Sequence, residues 1–234
     1  MKHFNIIQLI VVLMLFGSCQ EHTGWTSRTE IVLVVDKSQS QKKPDSPIGG
    51  FLSDLVNKGH LIETGDALTL HFVECGSNPI PSTDKVVLHG TNMLMKPRYE
   101  REDEVNVFLS EANAKFDTLI SDSFNESQSQ IYRTLVHAIN ILDVSADVRQ
   151  LYYRSDFIES SPLADWEKIE AFDYDKLTKT LFADQPLPES VRGLEVVLIV
   201  ENTTEQSLQA VRIYERILRE AGAIVKVTSS FEAI

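Results

Sequence analysis

The sequence predicts an α/β fold, in which a three-layer, doubly wound, mostly parallel sheet carries helices on both faces. Residues 31–35 are apolar at every position, and residues 194–200 are apolar except for Glu195, as is typical of central strands that helices cover on both sides. Stretches with helical periodicity separate the strand-like runs along the chain. Hydrophobic residues make up 43% of the chain, which suits the packed core of one domain of roughly 200 residues.

The order of the elements supports this fold class. A first strand is expected at residues 30–35 and a helix at 50–57. Strands at 66–74 and 85–88, separated by a turn rich in Pro and Gly, are expected to pair as a hairpin at the edge of the sheet. The further expected elements are helices at 102–120 and 129–142, a strand at 149–156, helices near 164–170 and 174–182, a strand at 194–200, a helix from Thr203 to Gly222 and a strand at 223–228.

The first residues are predicted to be a targeting segment. Residues 6–16 are apolar but too short to span a bilayer comfortably as a mature helix. The run Leu15-Phe16-Gly17-Ser18-Cys19 resembles the lipobox of bacterial lipoproteins. That resemblance implies that residues 1–18 are a signal peptide and that Cys19 is lipidated and anchors the protein without spanning the membrane. An ordinary secretory signal with an incidental Cys19 is the alternative.

Residues 19–28 are interpreted as a tether and residues 29–234 as the folded domain. Gln20 follows the cysteine where some lipoproteins have Asp, and in the enterobacterial sorting pattern this favours the outer membrane of the bacterial envelope. Once Cys19 is lipidated, Cys75 is the remaining thiol, so no intrachain disulfide is expected. Cys75 closes a strand-like run and is expected to be a small buried residue.

Overall charge excludes one class of partner. The chain has 34 acidic and 22 basic residues, a formal net charge of −12, which argues against binding a nucleic-acid backbone. No Gly-rich phosphate loop, Gly-x-Ser-x-Gly elbow or Cys/His pairing occurs in the sequence. We therefore predict no catalytic residues and no enzyme activity.

Oxygen-bearing side chains cluster where strands are expected to end. Asp36, Ser38 and Ser40 follow the first strand, Asp156 ends the strand that starts near residue 149, and Ser129 opens a helix. In doubly wound sheets, ligands bind beyond the carboxyl ends of the strands, where the strand order reverses. Hard divalent cations prefer such oxygen ligands. The sequence therefore predicts a metal-bearing binding surface.

This arrangement resembles a known site. The segments Asp36-Lys37-Ser38-Gln39-Ser40, Ser129-Gln130-Ile131 and Ser155-Asp156 resemble the metal-ion-dependent adhesion site (MIDAS) of von Willebrand factor A (VWA) domains. The resemblance implies a VWA, Rossmann-like fold from about residue 28 to 230. It also implies that Ser38, Ser40 and Ser129 bind Mg²⁺ (or Mn²⁺ or Ca²⁺) directly, while Asp36 and Asp156 hold it mainly through water. Such a domain binds an acidic group of a partner protein.

The chain departs from the family pattern at two positions. The third motif usually has Thr, often after Gly, whereas Ser129 follows Gln128 here; Ser127, or less readily Thr134, is an alternative source of that hydroxyl. Phe157 replaces the Gly that commonly follows the last Asp.

Three other interpretations of the cluster remain open. The first is a haloacid-dehalogenase-like phosphatase or other hydrolase with Asp36 as nucleophile, although such phosphatases need a second acid where Ser38 stands. The second is a degenerate domain without metal. The third is a loop in which Asp36 caps a turn and the serines satisfy backbone groups.

Overall fold

The computed structural model describes residues 26–38, 49–58, 60–78, 80–121, 126–168, 173–200 and 203–230. The predicted signal peptide, Cys19 and Ser40 lie outside these residues. The described strands are β1 (Arg28–Asp36), β2 (Ala67–Cys75), β3 (Thr83–Leu88), β4 (Val148–Ser155), β5 (Glu195–Val200) and β6 (Ile224–Thr228). The helices are α1 (Gly49–Lys58), α2 (Leu61–Thr64), α3 (Arg98–Ser121), α4 (Ile131–Asn140), α5 (Tyr174–Asp184) and α6 (Glu205–Glu220).

The strands form one twisted α/β sheet in the order β3-β2-β1-β4-β5-β6. All neighbours run parallel except β2 and β3, which pair antiparallel at one edge. This confirms the predicted fold class, including the hairpin at the edge. The chain winds outward from β1 in both directions, so the strand order reverses between β1 and β4, and the carboxyl ends of these two strands lie side by side.

Alternate residues of β1 belong to separate cores. Val32 and Val34 pack with α4 and α6 on one face of the sheet, whereas Ile31, Leu33 and Val35 pack with α1 and α3 on the other. A strand that is buried on both faces needs apolar residues at every position, which explains the continuous run from residue 31 to 35. The three layers predicted from the sequence are therefore present.

Two boundaries differ from the prediction because local contacts override helical periodicity. Helix α4 begins at Ile131 rather than Ser129, since the backbone of Ser129 pairs with that of Ser160 through N···O contacts of 2.9 and 3.1 Å. Helix α6 is capped by Thr204 rather than Thr203; Thr204 Oγ1 accepts a hydrogen bond from the N–H of Ser207 at 3.1 Å.

The least patterned region, residues 157–190, contains less helix than predicted. In place of the helix expected near 164–170, the described residues there form one 3₁₀ turn, Trp166–Lys168. Trp166 is fully buried, and its carbonyl accepts a hydrogen bond from Gln206 Nε2 at 2.7 Å. Long-range contacts hold this segment against α6. No described helix combines the length and apolar character that crossing a membrane requires.

The amino end of the sheet is held together by one buried arginine. Arg101 of α3 is fully buried, and its guanidinium donates to three backbone carbonyl oxygens: Leu61 at 3.0 Å, Asp66 at 2.5 Å and His89 at 2.8 Å. These carbonyls belong to α2, to the segment before β2 and to the segment after β3. One side chain thus joins α2 to the segment before β2 and to the segment after β3.

Candidate metal site at the carboxyl end of the sheet

The Asp36 carboxylate lies at the centre of the site. Its Oδ1 accepts hydrogen bonds from the N–H of Ser38 at 2.9 Å and from the hydroxyl of Ser129 at 3.0 Å. Its Oδ2 accepts a hydrogen bond from the hydroxyl of Ser155 at 2.6 Å. Asp36 is fully buried. Three segments that are distant in sequence therefore meet at one carboxylate, as the sequence predicted for the carboxyl ends of neighbouring strands.

Backbone pairing with the end of β2 fixes the segments around Asp36. The N–H of Lys37 donates to the carbonyl of Cys75 at 3.0 Å, which continues the pairing of β1 with β2 by one residue. The N–H of Gln130 donates to the carbonyl of Gly76 at 3.2 Å. The start of α4 is thereby anchored to the same strand end as Lys37, and this brings Ser129 to Asp36.

Asp156 supplies a second carboxylate with an unsatisfied oxygen. It is 2% exposed, and its Oδ1 accepts a hydrogen bond from the N–H of Ile158 at 3.0 Å. Its Oδ2 is buried and has no hydrogen-bond partner among the residues that the structure describes. A buried carboxylate oxygen without a donor is costly, and a cation would remove that cost. These residues therefore fit a divalent ion.

Burial raises the pKa of Asp36 to about 6, although the hydrogen bond from Ser155 opposes the shift; the charge of Asp156 raises this pKa further. Burial likewise raises the pKa of Glu159 to about 7 against the hydrogen bonds that it accepts, and the charge of Asp36 adds to that increase. The site thus concentrates acidic groups where their ionised forms are poorly solvated. A cation that neutralises these acidic groups would therefore reduce the free-energy cost of burying them in ionised form.

The hydroxyl groups lie where they are able to contact an ion. The Ser129 hydroxyl donates its proton to Asp36, which leaves its oxygen lone pairs available to a cation. Ser38 is buried beside Asp36. Of the alternatives to Ser129, Ser127 is exposed, and Thr134 lies one turn inside α4 with its N–H on the carbonyl of Gln130.

Two side chains near the site, Ser155 and Glu159, were given no role by the sequence, although Ser155 stands in the Ser155-Asp156 motif. The Ser155 hydroxyl donates to Asp36 and accepts from the N–H of Phe157 at 2.9 Å, so it orients the Asp36 carboxylate. Glu159 is fully buried; its Oε2 accepts from the N–H of Tyr132 at 2.9 Å and from the hydroxyl of Tyr214 at 2.8 Å. An acid three residues after Asp156 was visible in the sequence, but no periodic pattern showed that it is buried.

Phe157 has a left-handed backbone with φ of 61°, a conformation that glycine adopts without strain. Its ring is buried against Tyr153 and Tyr214, with centroid distances of 5.4 and 5.8 Å. This is the position where the VWA pattern commonly has Gly. Aromatic packing therefore compensates for a backbone conformation that a side chain disfavours.

The site differs from metal centres built on several acidic, histidine or cysteine ligands. Within the described part of the chain, no group of three or more His, Cys, Asp or Glu side chains is placed to hold a metal ion. The predicted ligand set depends instead on hydroxyl groups. Cys75 is fully buried, and burial holds the pKa of its thiol well above the ordinary value, which agrees with the prediction that it is a packing residue.

Comparison with known proteins leaves the family open. No protein-family model matches the chain, and no curated protein matches it. Among solved structures, a D319A mutant of the PilB minor pilin from Streptococcus sanguinis gives a TM-score of 0.48 at 10% identity, covering 90% of this chain and 59% of that chain. The pilus adhesin SpaC from Lactobacillus rhamnosus GG, in its open conformation, gives 0.48 at 12% identity, covering 89% of this chain and 28% of that chain.

The TFIIH p34 N-terminal domain gives a TM-score of 0.34 at 12% identity, covering 88% of this chain and 91% of that chain. This chain therefore spans well under two thirds of the pilin and the adhesin. Likenesses at these scores and identities carry no argument about family or function.

Proposed function

We propose that the protein is an extracytoplasmic, lipid-anchored, VWA-like binding module that captures an acidic group of a partner protein through a divalent ion at Asp36. The observation that carries this proposal is the buried Asp156 oxygen for which the described residues supply no donor, beside a second buried carboxylate. In this proposal Cys19 carries the lipid, the membrane is the outer membrane of the bacterial envelope, and no reaction is catalysed.

The arrangement of charges suits ligand capture. Ser38, Ser129 and, in the predicted set, Ser40 would hold Mg²⁺ directly, with Asp36 and Asp156 acting mainly through water. The bound ion supplies an electrophile that retains exchangeable water. Two carboxylates balance a divalent charge while the hydroxyls add none, so the site keeps its attraction for an external carboxylate. Because Asp36 and Asp156 are buried, little water would screen the positive charge of an ion bound beside them.

Solvent-proton relaxation with Mn²⁺ tests the site without a known partner. Mn²⁺ that is bound to a protein and keeps exchangeable water increases the relaxation rate of solvent protons above the rate that free Mn²⁺ gives. We expect the full chain in detergent to show this increase, and we expect acetate to reduce it by replacing a water. Asp36→Asn should abolish the increase.

The matched control is Asp143→Asn. Asp143 lies at the opposite end of the sheet and pairs with Arg28 at 2.6 Å, so its loss should leave the Mn²⁺ signal unchanged. A wild-type protein whose relaxation signal stays at the level of free Mn²⁺ would favour the degenerate, metal-free scaffold. Binding of Mn²⁺ without any response to acetate would support the metal site but contradict the capture of an external carboxylate.

The hydrolase interpretation is less compatible with the geometry. Both oxygens of Asp36 accept hydrogen bonds, and the residue is fully buried, so neither oxygen is presented as a nucleophile. Hydrolysis of a generic aryl phosphate that Asp36→Asn abolishes would reverse this preference.

A further inference from the structure

The amino end of the sheet carries most of the strongly exposed apolar side chains. Among the described residues, six large apolar side chains are more than 60% exposed, and five of them lie at this end: Leu94, Met95, Tyr99, Val144 and Ile224. We call these five residues the amino-end face. Leu94 and Met95, at 95% and 86%, are more exposed than the other large apolar residues described. Separate exposed apolar residues are ordinary, but their concentration at one end requires an explanation.

Sheet topology places these residues together. Strand β3 runs antiparallel to β2, and Leu88 pairs with Leu68, so the segment after β3 returns to the amino end. That segment contains Leu94 and Met95 and leads into the first turn of α3. Val144 lies between α4 and β4, and Ile224 is the first residue of β6. The amino-end face therefore extends across the sheet, over roughly 25 Å for six strands spaced about 4.8 Å apart.

The chain enters the domain at the same end. The N–H of Ser27 donates to Asp66 Oδ1 at 2.7 Å, and the carbonyl of Ser27 accepts from the N–H of Ala67 at 2.9 Å. Thr26 lies against the segment after β3, because a Cβ built on Gly90 would be 2.9 Å from Thr26 Oγ1. Cys19 is seven residues before Thr26, a distance of at most about 25 Å in a fully extended chain.

The segment that displays Leu94 and Met95 is firmly attached to the domain. Arg101 donates to the carbonyl of His89, and the N–H of Thr91 donates to the carbonyl of Gly65 at 2.8 Å. A Cβ on Gly65 would lie 2.2 Å from the carbonyl oxygen of Thr91, so only glycine permits this approach. The exposed side chains are thus held on a defined support.

We propose that the amino-end face lies on the surface of the membrane that holds the lipid anchor, with Leu94 and Met95 entering its head-group region. This proposal rests on the anchor at Cys19 in the proposed function. The short spacing of seven residues between Cys19 and Thr26 keeps the amino end near the bilayer, where exposed apolar side chains gain by leaving water. The Asp36 site, at the opposite end of the parallel strands, then faces away from the membrane.

The charges near the amino-end face predict which lipids it needs. Lys96 forms an ion pair with Glu104, and Arg98 forms ion pairs with Glu102 and Glu63 at 2.9 and 3.2 Å. The positive charges beside Leu94 and Met95 are therefore already balanced. The contact is apolar, and a neutral phosphatidylcholine surface should support it as well as an anionic one.

The test uses the full, lipidated chain in phosphatidylcholine vesicles. A fluorescent label is attached at Met95→Cys, and the matched control carries the same label at Ile80→Cys, the strongly exposed apolar residue at the carboxyl end. Lipids with a nitroxide near the head group should quench the label at 95 several-fold more than the label at 80. Addition of anionic lipid should leave that ratio unchanged.

Three results would overturn the proposal in distinguishable ways. Equal quenching at 95 and 80, in a chain whose acylation is confirmed by mass spectrometry, would refute membrane contact and leave the anchor intact. Absence of acyl mass at Cys19, with Cys19→Ser binding vesicles no worse than wild type, would remove the anchor from the proposed function and this proposal with it. A label at 95 shielded from aqueous iodide but not quenched by lipid would refute the proposal and assign the face to a protein partner.

Discussion

The two ends of this sheet differ in whether buried polar groups have hydrogen-bond partners within the chain. At the amino end, Arg101 supplies donors to three carbonyl oxygens, and its charge is paired with that of Glu104 at 3.4 Å. At the carboxyl end, Asp36 and Asp156 are buried together, and one Asp156 oxygen receives no donor from any described residue. Donors within the chain therefore satisfy the three carbonyls at the amino end, whereas in the proposed function an external ion would satisfy the Asp156 oxygen at the carboxyl end.

A backbone feature follows the same contrast. Among the described residues, two non-glycine residues have positive φ: His60 at the amino end, with φ of 49°, and Phe157 at the carboxyl end, with φ of 61°. His60 is exposed, while Phe157 is buried in an aromatic cluster. Strain at Phe157 is therefore supported by packing close to the candidate site, and strain at His60 has no such support.

The largest expected effect comes from the amino end. Arg101→Met should lower the free energy of unfolding by about 3–5 kcal/mol, because three backbone carbonyls lose a charged donor. Urea denaturation measures this loss. Arg98→Met removes an exposed arginine whose described contacts are surface ion pairs, and it should leave the free energy of unfolding nearly unchanged. Equal losses in the two variants would mean that Arg101 does not join the amino-end segments.

The next expected effect is a stability difference between Asp36→Asn and wild type that changes sign when Mg²⁺ is added. In EDTA, we expect Asp36→Asn to be at least as stable as wild type, because it removes a buried charge beside Asp156. At Mg²⁺ concentrations about a hundredfold above the dissociation constant, wild type should gain about 2.7 kcal/mol and the variant none. Thermal melting in the two buffers compares them. A variant that is less stable in EDTA and still responds to Mg²⁺ would contradict an incomplete carboxyl end.

The third effect is a pH dependence in EDTA. Folding raises the pKa of Asp36 from 3.8 to about 6 and that of Glu159 from 4.5 to about 7. Between pH 4 and 7 the folded chain therefore binds more protons than the unfolded chain. Each of the two groups should lower the free energy of unfolding as pH rises, by on the order of 3 kcal/mol.

Two histidines act in the opposite direction within this pH range. Burial lowers the pKa of His71 and of His137, so their contribution to stability grows as pH rises. The useful measurement is consequently the difference between the wild-type and Glu159→Gln profiles, since both proteins contain the same histidines. Parallel profiles from pH 4 to 7 would show that Glu159 is not the buried acid described here. Mg²⁺ should flatten the wild-type decrease because it competes with protons at the site.

The smallest differences are expected from backbone strain at the two residues with positive φ. Phe157→Ala and Phe157→Gly lose the same buried ring, and the Gly variant should be more stable than the Ala variant by about 1 kcal/mol. His60→Gly should stabilise the protein by about 0.5 kcal/mol, since the relief of backbone strain exceeds the extra conformational entropy that glycine loses on folding. Chemical denaturation of the three variants measures these differences. An Ala variant as stable as the Gly variant at 157 would indicate that position 157 is unstrained.

Much of the fold was readable from the sequence because burial on both faces of a strand leaves a continuous apolar run. Residues 31–35 identified β1, and the periodicity of residues 102–120 identified most of α3. Asp36 and Ser129 were predicted to lie close together, and the Ser129 hydroxyl donates to Asp36 Oδ1 at 3.0 Å. The metal itself, its ligands and the VWA relationship remain predictions.

Other features could not be read from sequence because they depend on contacts between distant segments. Arg101 occupies a position in α3 that periodicity alone would leave unremarkable, and its role follows only from the three carbonyls around it. The segment around Trp166 is shaped by contacts with Ser129 and α6 rather than by its own helical propensity. Glu159 is buried for the same reason.

The hydrogen bonds of Asp36 have a consequence for the order of events during biosynthesis. The bonds from Ser129 and Ser155 connect residues 93 and 119 positions apart in the chain. Such pairings close large loops and form late in the folding of parallel sheets. In a nascent chain in which β4 is not yet docked, Ser155 has not yet reached Asp36 and the oxygen atoms of the candidate site are not assembled. In the proposed function, ion uptake would then be a maturation step, and free Mg²⁺ in the compartment where folding finishes would determine how much of the protein becomes competent.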